Sequence, residues 1–334
     1  MVKTRILIIS DTHGTKPVPP PQDGSPPNIQ AELTFAGQVR RQATGYRDPL
    51  PEADVVLHCG DLTKRSRISE FQNTFDMLRG IKAPLKLCIA GNHDMGLDED
   101  YWKLEYESDP GLPEYVKTII SDARQDGVRY LTEGTYTFDL ENGARLTVYA
   151  SQYTPMYGGW AFQYPDRHDF DIPQGVDIAM THGPPKGVLD LASNRSRAGC
   201  PQLFQAVHHA RPKIHCFGHI HEGWGAYIAK WTGDEKEGAF PRVETVIDAL
   251  NSRHIKHLQD IWPMPFTDDD KVMQAKLEKL VEISKARGVH VDLTAGEASL
   301  AAGQETLFVN AAIMDTGYKP SQPPWIVDVD LPSQ

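Results

Sequence analysis

Short apolar runs recur along the chain, and most of them stop at a polar residue. Five such runs occupy residues 5–10, 54–59, 84–90, 177–181 and 213–217. A run of this length, bounded by Gly, Pro or polar residues, is typical of a buried strand. The pattern therefore predicts a series of short buried strands, each followed by a polar loop.

Other stretches have alternating or helical periods. Tyr136 to Tyr149 alternates apolar and polar residues around Asn142-Gly143, which predicts a β-hairpin. Apolar spacing and capping residues predict helices that begin at Ser66, near Pro113, at Pro201 and at Thr267. Two late strands are predicted at 307–310 and 325–329, and His208 and His209 are expected on the surface of the Pro201–Ala210 helix.

The residues that follow the predicted strands share the ability to bind metals. They are Asp11 and His13, Asp61, Asn92 with His93 and Asp94, His182, and the pair His219 and His221. Each fragment alone is also typical of a turn, because Asp, Asn and Gly are common there. Strand ends in α/β sheets face ligand-binding crevices, so several such ends in one chain predict one shared site.

The stretch Gly218-His219-Ile220-His221 suggests two metal ions rather than one. Residues two apart in an extended chain point to the same side, roughly 6–7 Å apart. That spacing suits one His on each of two ions about 3.5–4 Å apart. The mixture of imidazole and oxygen donors suits Mn, Fe or Zn, and Asp61, in the middle of the set, is the natural carboxylate bridge.

Two divalent ions favour phosphoester chemistry. They lower the pKa of a bound water, which gives hydroxide near neutral pH, and they hold the phosphoryl oxygens during displacement. The leaving alkoxide then needs a proton. His93 is the remaining imidazole and is the candidate acid, with Asp94 beside it to hold the ring.

Two segments look like insertions in a single domain that spans residues 1–334. The first, at about 16–53, opens with six prolines between Pro17 and Pro27 and carries Arg40, Arg41 and Arg47. These arginines would contact a phosphate if they reach the site, although such residues are more often solvated. The second segment covers about 231–304.

Composition narrows the class of protein. The chain has 334 residues, 40% hydrophobic and 24% charged, with a net charge of −11. An acidic chain of this kind is not expected to bind a nucleic-acid polymer or a membrane surface. The four cysteines are scattered, which favours buried thiols and a cytoplasmic location. The sequence leaves the oligomeric state open.

The ordered fragments Asp-x-His, Gly-Asp, Gly-Asn-His-Asp, Thr-His-Gly and Gly-His-x-His resemble the calcineurin-like metallophosphoesterase superfamily. The residues that flank these motifs are most similar to those of its metallophosphoesterase-domain-containing (brain 239-type) subgroup. The resemblance implies an α/β fold of the α+β type, a four-layer αββα sandwich of two mixed β-sheets flanked by helices. It also implies one metal on Asp11, His13, Asp61 and His221, a second on Asp61, Asn92, His182 and His219, and His93 as proton donor.

Some animal members of that subgroup carry Gly where this chain has His219, and the intact His219 implies a competent enzyme. The expected substrates are small phosphodiesters, with cyclic nucleotides as a lead. A phosphomonoesterase would be favoured if Lys64, Arg65 and Arg67 reach the site. A non-phosphate substrate and a binding-only role are the remaining alternatives. Trp224 and the aromatics between Tyr153 and Tyr164 would stack a base if they line the site, although core packing is their commoner role.

Overall fold

The computed structural model describes residues 1–20, 45–106, 111–232, 241–264 and 266–334, and within 21–44 only two short strands, Thr34–Phe35 and Gln38–Val39. The strands of its two large sheets are β1 (Val2–Ile9), β2 (Val55–His58), β3 (Leu85–Cys88), β4 (Val128–Tyr130), β5 (Gly134–Asp139), β6 (Arg145–Ser151), β7 (Ile178–Thr181), β8 (Ile214–Phe217), β9 (Gly225–Lys230), β10 (Arg253–His257), β11 (Val289–Asp292), β12 (Glu305–Asn310) and β13 (Trp325–Leu331). The α-helices are α1 (Ile68–Gly80), α2 (Glu99–Glu105), α3 (Leu112–Ala123), α4 (Pro201–Ala210), α5 (Val243–Val246), α6 (Leu258–Ile261) and α7 (Asp270–Ala286).

Both large sheets are mixed. Sheet A has the order β11-β13-β1-β2-β3-β4, and sheet B has the order β10-β9-β12-β8-β7-β6-β5. In sheet A, β1 to β4 run parallel, and β13 pairs antiparallel with β1. In sheet B, β6, β7, β8 and β12 run parallel. The parallel strands of each sheet therefore end at one edge, where polar loops from neighbouring strands meet.

Alternate residues of β1 face two different cores. Ile6 and Ile8 pack between the sheets with Ile178 of β7, whereas Leu7 packs on the outer face of sheet A with Phe71 of α1. A third core joins α4 to the outer face of sheet B. The period of two along each strand thus produces four layers, helices, sheet A, sheet B and helices. The predicted αββα sandwich is confirmed.

The predicted elements are present, with corrected boundaries. The hairpin is β5 paired antiparallel with β6, and α4 has the predicted ends. Two helix starts were placed too early, because Arg67 rather than Ser66 caps α1, and Asp269 rather than Thr267 caps α7. The prediction that His208 is exposed is wrong, since it is buried on the inner side of α4.

Residues 241–304 add an edge strand to each sheet on the same side of the sandwich. β10 pairs with β9 of sheet B, and β11 pairs with β13 of sheet A. Helix α7 connects them and places Leu280 and Ile283 in the core between the sheets. This part of the predicted insertion is thus integrated into the sandwich, and the single-domain organisation stays a prediction.

The phosphate contacts suggested for the first insertion are not supported where the chain is described. Arg40 and Arg41 lie outside the described residues. Arg47 is buried, and its Nε donates a hydrogen bond to Oγ of Ser284 in α7 at 3.0 Å. In the described ranges, no helix is both long and apolar enough to cross a membrane.

Candidate metal centre

Seven polar residues from both sheets meet where the parallel strands end. Sheet A supplies four of them through the loops after β1, β2 and β3, and sheet B supplies three through the loops after β7 and β8. We call them the strand-end cluster: Asp11, His13, Asp61, Asn92, His182, His219 and His221. His219 is partly buried and the other six are buried. The residues predicted from separate motifs thus lie together in one site.

Four members of this cluster have backbone conformations that L-residues rarely adopt. The φ angles are +52° for Asp11, +48° for His13, +53° for Asp61 and +66° for His219. Each such residue costs on the order of 1–3 kcal/mol, and such strain concentrates at functional sites. The four turns point the side chains inward at the expense of local stability.

Glycines allow the loops to approach one another. A Cβ on Gly218 would lie 1.9 Å from Oδ2 of Asp11, and a Cβ on Gly91 would lie 2.3 Å from Oδ1 of Asp61. Contacts this short exclude any side chain at either position. The Gly in Gly-Asn-His-Asp and the first residue of Gly-His-x-His therefore have a steric function.

Three cluster imidazoles are oriented by backbone carbonyls. Nδ1 of His13 lies 3.0 Å from the Thr63 carbonyl oxygen, and Nδ1 of His182 lies 2.9 Å from that of Cys59. Nδ1 of His221 makes the same contact with Asp315 at 3.0 Å. A carbonyl only accepts, so each Nδ1 donates, and in the neutral ring Nε2 carries the free lone pair. Metal-binding histidines are usually fixed in this way.

The free Nε2 atoms face the carboxylates. Around Asp61, Nε2 of His13 lies 3.7 Å from Oδ2, and Nε2 of His182 lies 3.4 Å from Oδ1. Nε2 of His221 lies 3.4 Å from Oδ1 of Asp11 and 3.5 Å from Nε2 of His13. Two Nε2 atoms at that distance need a proton or a cation beside them, since both are acceptors in the neutral rings. Asp61 thus has one imidazole at each oxygen, as expected of a bridging carboxylate.

Two groups of donor atoms are close enough to hold an ion. Asp11, His13 and His221 form one group, and Asp11, Asp61 and His182 form the other, with the ligand atoms of each within 4.8 Å of one another. Oδ1 of Asn92 lies 3.0 Å from Nε2 of His182 and can add an oxygen donor to the second group. The residues present fit two divalent ions that accept mixed nitrogen and oxygen donors.

His219 joins the cluster through both its backbone and its ring. Its N–H donates to Oδ1 and Oδ2 of Asp11, both at 3.1 Å. Its ring packs edge-on against His182 with the centroids 5.0 Å apart. The left-handed turn at His219 therefore both holds Asp11 and directs the imidazole toward His182.

Burial and charge set the protonation states. Burial lowers the pKa of His13 to about 4 and that of His219 to about 3, which leaves both rings neutral at pH 7 and able to bind metal. Burial also acts to lower the pKa of His221, but the Asp11 carboxylate outweighs it and raises the pKa to about 9, so in the absence of a metal ion its Nε2 keeps a proton at pH 7. The pKa of Asp61 is held below its usual value, because the nearby histidines outweigh its burial.

His93 lies at the mouth of the cluster, and the prediction that Asp94 holds its ring is wrong. Nδ1 of His93 lies 2.9 Å from the Lys64 carbonyl oxygen. The Asp94 carboxylate is turned the other way and accepts from the backbone N–H groups of Gly91, Leu62 and Thr63 at 2.7–3.0 Å. Asp94 therefore fixes the loop that carries Lys64, and the loop carbonyl fixes the His93 ring. Burial raises the pKa of Asp94 to about 7, although these donors act against that effect.

The model of the calcineurin-like phosphoesterase family matches residues 4–223, a range that includes the whole strand-end cluster and His93. The chain belongs to this family. The resemblance inferred from the five ordered motifs is confirmed.

Curated relatives of this family member share about a third of its residues in the aligned regions. Metallophosphoesterase domain-containing protein 1 of Homo sapiens is 33% identical over 189 residues, which are 53% of this chain and 58% of that protein. A protein named UPF0046 protein T07D4.2, from Caenorhabditis elegans, is 34% identical over 197 residues, 55% of this chain and 50% of that protein. Probable rhamnogalacturonate lyase C of Emericella nidulans is 33% identical over 233 residues, 68% of this chain but 18% of that protein. The chain thus spans little more than half the length of these relatives at most.

Three residues beside the cluster complete the site. Lys64 and the aromatic stretch that contains Trp160 were conditional candidates in the sequence, whereas Tyr318 was missed. The Trp160 ring lies 4.3 Å from the His93 ring, centroid to centroid, at an angle of 39°. The Tyr318 ring lies 5.0 Å from that of His13 and 5.4 Å from that of His221. Nζ of Lys64 lies 4.0 Å from the Tyr318 ring centroid. We call Lys64, Trp160 and Tyr318 the rim.

Two other aromatic expectations are settled by burial. Trp224 is 1% exposed, stacks on Trp325 and donates from Nε1 to the Pro323 carbonyl oxygen at 3.0 Å. It is therefore a core residue that cannot stack on a substrate. Of the aromatics between Tyr153 and Tyr164, Trp160 contacts a site residue, whereas Phe162 and Tyr164 are buried in the packing around the sheets.

Proposed function

We propose that this family member is a dinuclear metal-dependent phosphoesterase that hydrolyses small phosphodiesters. The observation that carries the proposal is the position of Asp61, with the Nε2 atom of His13 near one carboxylate oxygen and that of His182 near the other. The negative charge of a bridging carboxylate offsets the repulsion between two adjacent cations. An imidazole beside each carboxylate oxygen would supply one nitrogen ligand to each ion.

The proposed ligands divide between the two ions. Asp11, His13, Asp61 and His221 would hold the first, and Asp61, Asn92, His182 and His219 would hold the second. Mn, Fe and Zn all accept this donor set. When bound, such a pair supplies an activated water and positive charge for the phosphoryl oxygens. The chain's own contribution is to orient the rings through Thr63, Cys59 and Asp315 carbonyls.

His93 is the proposed proton donor to the leaving alkoxide. Its Nδ1 is engaged by the Lys64 carbonyl oxygen, so Nε2 is the atom that holds and releases the proton. The Trp160 ring against one face of the imidazole limits how far the ring can turn. Proton transfer from a positioned group of this kind contributes typically 10²–10⁴-fold to a rate.

The proposed substrate is small and carries a phosphoryl group. A net charge of −11 disfavours a long polyanion, whereas two bound cations attract a single phosphoryl group locally. Cyclic nucleotides and similar small diesters are the class to test first, with phosphomonoesters as the alternative. The lyase activity in the name of the Emericella protein does not support a lyase activity for this chain, because the match covers 18% of that protein.

The direct test compares bis-p-nitrophenyl phosphate with p-nitrophenyl phosphate, with Mn²⁺ added and with chelator. The variants are Asp61→Ala and His93→Ala, with the exposed His209→Ala as the matched control. Metal content is measured by elemental analysis. We expect metal-dependent diester turnover, loss of both metal and turnover in Asp61→Ala, and a 10²–10⁴-fold lower kcat with metal retained in His93→Ala.

The outcomes separate the alternatives. Faster turnover of the monoester would replace the phosphodiesterase proposal with a phosphomonoesterase. Two bound metals with no turnover of either compound would overturn the phosphoesterase proposal and favour a non-phosphate substrate or a binding role. An equal loss in His209→Ala would show that the His93 effect is not specific.

A further inference from the structure

Lys64 carries a charge that has no carboxylate partner in the described part of the chain. Its side chain is partly buried, and its Nζ lies over the Tyr318 ring, 4.0 Å from the centroid. Seven other lysines in the described ranges pair with a carboxylate, for example Lys82 with Glu52 at 2.6 Å and Lys117 with Glu99 at 2.7 Å. An ammonium held by an aromatic face, without a counter-charge, remains available for an anionic ligand.

The backbone of Lys64 is fixed next to the proposed acid. Its carbonyl oxygen accepts from Nδ1 of His93, and the preceding residue, Thr63, is held by Asp94 and supplies the carbonyl that orients His13. Lys64 therefore cannot move away from the site without disturbing His93 and His13. Its side chain extends from a rigid support rather than from a free loop.

The position of Tyr318 is also fixed, by the loop that carries it. Its φ is +56°, an unusual conformation for a bulky residue, in a loop held together by Asp315. Oδ1 of Asp315 accepts from the N–H groups of Gly317 and Lys319 at 2.7 and 3.1 Å. The Asp315 carbonyl oxygen orients His221. The loop that fixes a cluster imidazole thus also holds the ring under the Lys64 ammonium.

The Tyr318 ring contacts both the ammonium and two cluster imidazoles. It packs in an edge arrangement with the rings of His13 and His221, and the Lys64 ammonium lies over it. The residue Tyr318 is 38% exposed, so a ligand bound at the cluster can extend past the edge of the tyrosine ring. A group attached to a phosphoryl by a few bonds would reach the ammonium.

We propose that Lys64 is a specificity-determining residue that binds a second anionic group of the substrate, beside the Tyr318 ring that contacts the strand-end cluster. The inference rests on the proposed function, because the first phosphoryl group must bind at the strand-end cluster. The substrate class becomes a small phosphoester that also carries a carboxylate or a second phosphoryl group. Arg65, which is exposed and adjacent in sequence, adds positive charge on the same side.

The test uses three phosphonates of similar length: butylphosphonate, phosphonobutyrate and trimethylene bisphosphonate. The first has one anionic group, the second adds a carboxylate, and the third adds a phosphonate. Binding to the Mn²⁺-loaded protein is measured by calorimetry, and inhibition of bis-p-nitrophenyl phosphate hydrolysis is measured in parallel. The variants are Lys64→Met, which keeps an apolar chain on Tyr318 without the charge, Lys64→Arg, which keeps the charge, and the remote control Lys82→Met.

We expect the wild type to bind at least one doubly anionic probe roughly fivefold more tightly than butylphosphonate, the effect of one partly exposed ion pair. This ratio should fall to about one in Lys64→Met and persist in Lys64→Arg and Lys82→Met. The probe that shows the preference distinguishes a carboxylate from a second phosphoryl group.

An unchanged ratio in Lys64→Met, or a ratio of one in the wild type, would overturn the inference. If bis-p-nitrophenyl phosphate is still hydrolysed in that case, the proposed function stands without this specificity. Failure of the proposed function has a different signature, which is the absence of turnover and of butylphosphonate binding together.

Discussion

The strand-end cluster and the rim lie side by side but differ in burial and in the kind of contact that their side chains make. The cluster is buried, four of its residues have left-handed backbone turns, and three of its rings are pinned by carbonyls. The rim is partly exposed. Its backbone is also held, through the Lys64 carbonyl oxygen and the left-handed φ of Tyr318, but its side chains meet one another and the site through aromatic rings and one ammonium. Metal-binding atoms are thus concentrated in the buried cluster, and side chains suited to contact a ligand surround it.

This difference predicts a division of labour. A change in the cluster should abolish metal binding and activity together, because its geometry has no freedom to adjust. A change in the rim should alter rate or substrate preference and leave the metals in place. The following experiments test that division, from the largest expected effect to the smallest.

Gly218→Ala should have the largest effect. The new Cβ would lie 1.9 Å from Oδ2 of Asp11, so the loop or the carboxylate must move. We expect loss of bound metal and a fall in bis-p-nitrophenyl phosphate turnover of roughly a thousandfold or more, in line with loss of a catalytic ion. Gly80→Ala, where no atom lies within 4 Å of the new methyl group, is the control. Retention of metal and activity in Gly218→Ala would contradict the rigid-cluster interpretation.

Asp94→Asn tests the support beneath the cluster. The carboxylate accepts from three backbone N–H groups and from Oγ1 of Thr63 at 2.7 Å. In the Asn variant the amide NH₂ group would face some of these donors and could not accept from them. We expect the free energy of unfolding to fall by about 1–3 kcal/mol, measured with urea. We also expect kcat to fall, since the loop positions His93. The exposed Asp126→Asn is the control, and equal stability of the two variants would refute this role for Asp94.

Trp160→Ala tests the rim without touching the cluster. Loss of the ring that lies against His93 should lower kcat for bis-p-nitrophenyl phosphate by about tenfold through poorer orientation of the acid. Elemental analysis should show unchanged metal content, and Trp160→Phe should restore most of the rate. A loss of metal in Trp160→Ala would mean that rim and cluster are not separable.

His215→Leu should change how the stability of the fold depends on pH, without affecting the site. Burial lowers the pKa of His215 to about 3, below the usual 6.5, so the folded state excludes a proton that the unfolded state takes up. The stability associated with the neutral ring is present above pH 6.5 and is lost as the pH falls from 6.5 toward 3. Between pH 7 and 5 the wild type should lose on the order of 2 kcal/mol more than the variant.

Urea unfolding at the two pH values provides the measurement for His215→Leu. The variant removes the 2.9 Å hydrogen bond between Nε2 of His215 and Oγ1 of Thr181, but the Thr181 hydroxyl keeps its bond to the Gly183 carbonyl oxygen at 2.8 Å, and this loss is common to both pH values. The comparison therefore isolates the buried imidazole. Parallel pH profiles for wild type and variant would rule out this source of acid sensitivity.

The sequence predicted the cluster because its residues obey a local rule. Asp11, Asp61, Asn92 and His182 each follow a short apolar run, and such runs end together when they form parallel strands. Strand period and strand ends are encoded within a few residues. The family match and the four-layer fold could accordingly be anticipated from one sequence.

The rim could be predicted only in part, because its members are distant in sequence and the loop conformations decide which of them meet. Lys64 and the aromatic stretch that contains Trp160 were candidates from the sequence, whereas no motif indicated Tyr318. Lys64, Trp160 and Tyr318 come together through the loops after β2, β6 and β12. The error over Asp94 has a related cause. Adjacency to His93 in sequence suggested a contact, whereas the turn at Asn92-His93 sends the two side chains in opposite directions, one to the Lys64 carbonyl oxygen and one to the loop N–H groups.

Helix α7 and the two edge strands that flank it have a mechanical consequence. The proposed ligands come from both sheets, so the spacing of the two ions depends on how far apart the sheets stand. β10 belongs to one sheet and β11 to the other, and α7 wedges Leu280 and Ile283 between them. The segment therefore links the two sheets along one side of the sandwich. A separation of the sheets at this side, which would move His221 away from Asp61, would also disrupt the packing of Leu280 and Ile283.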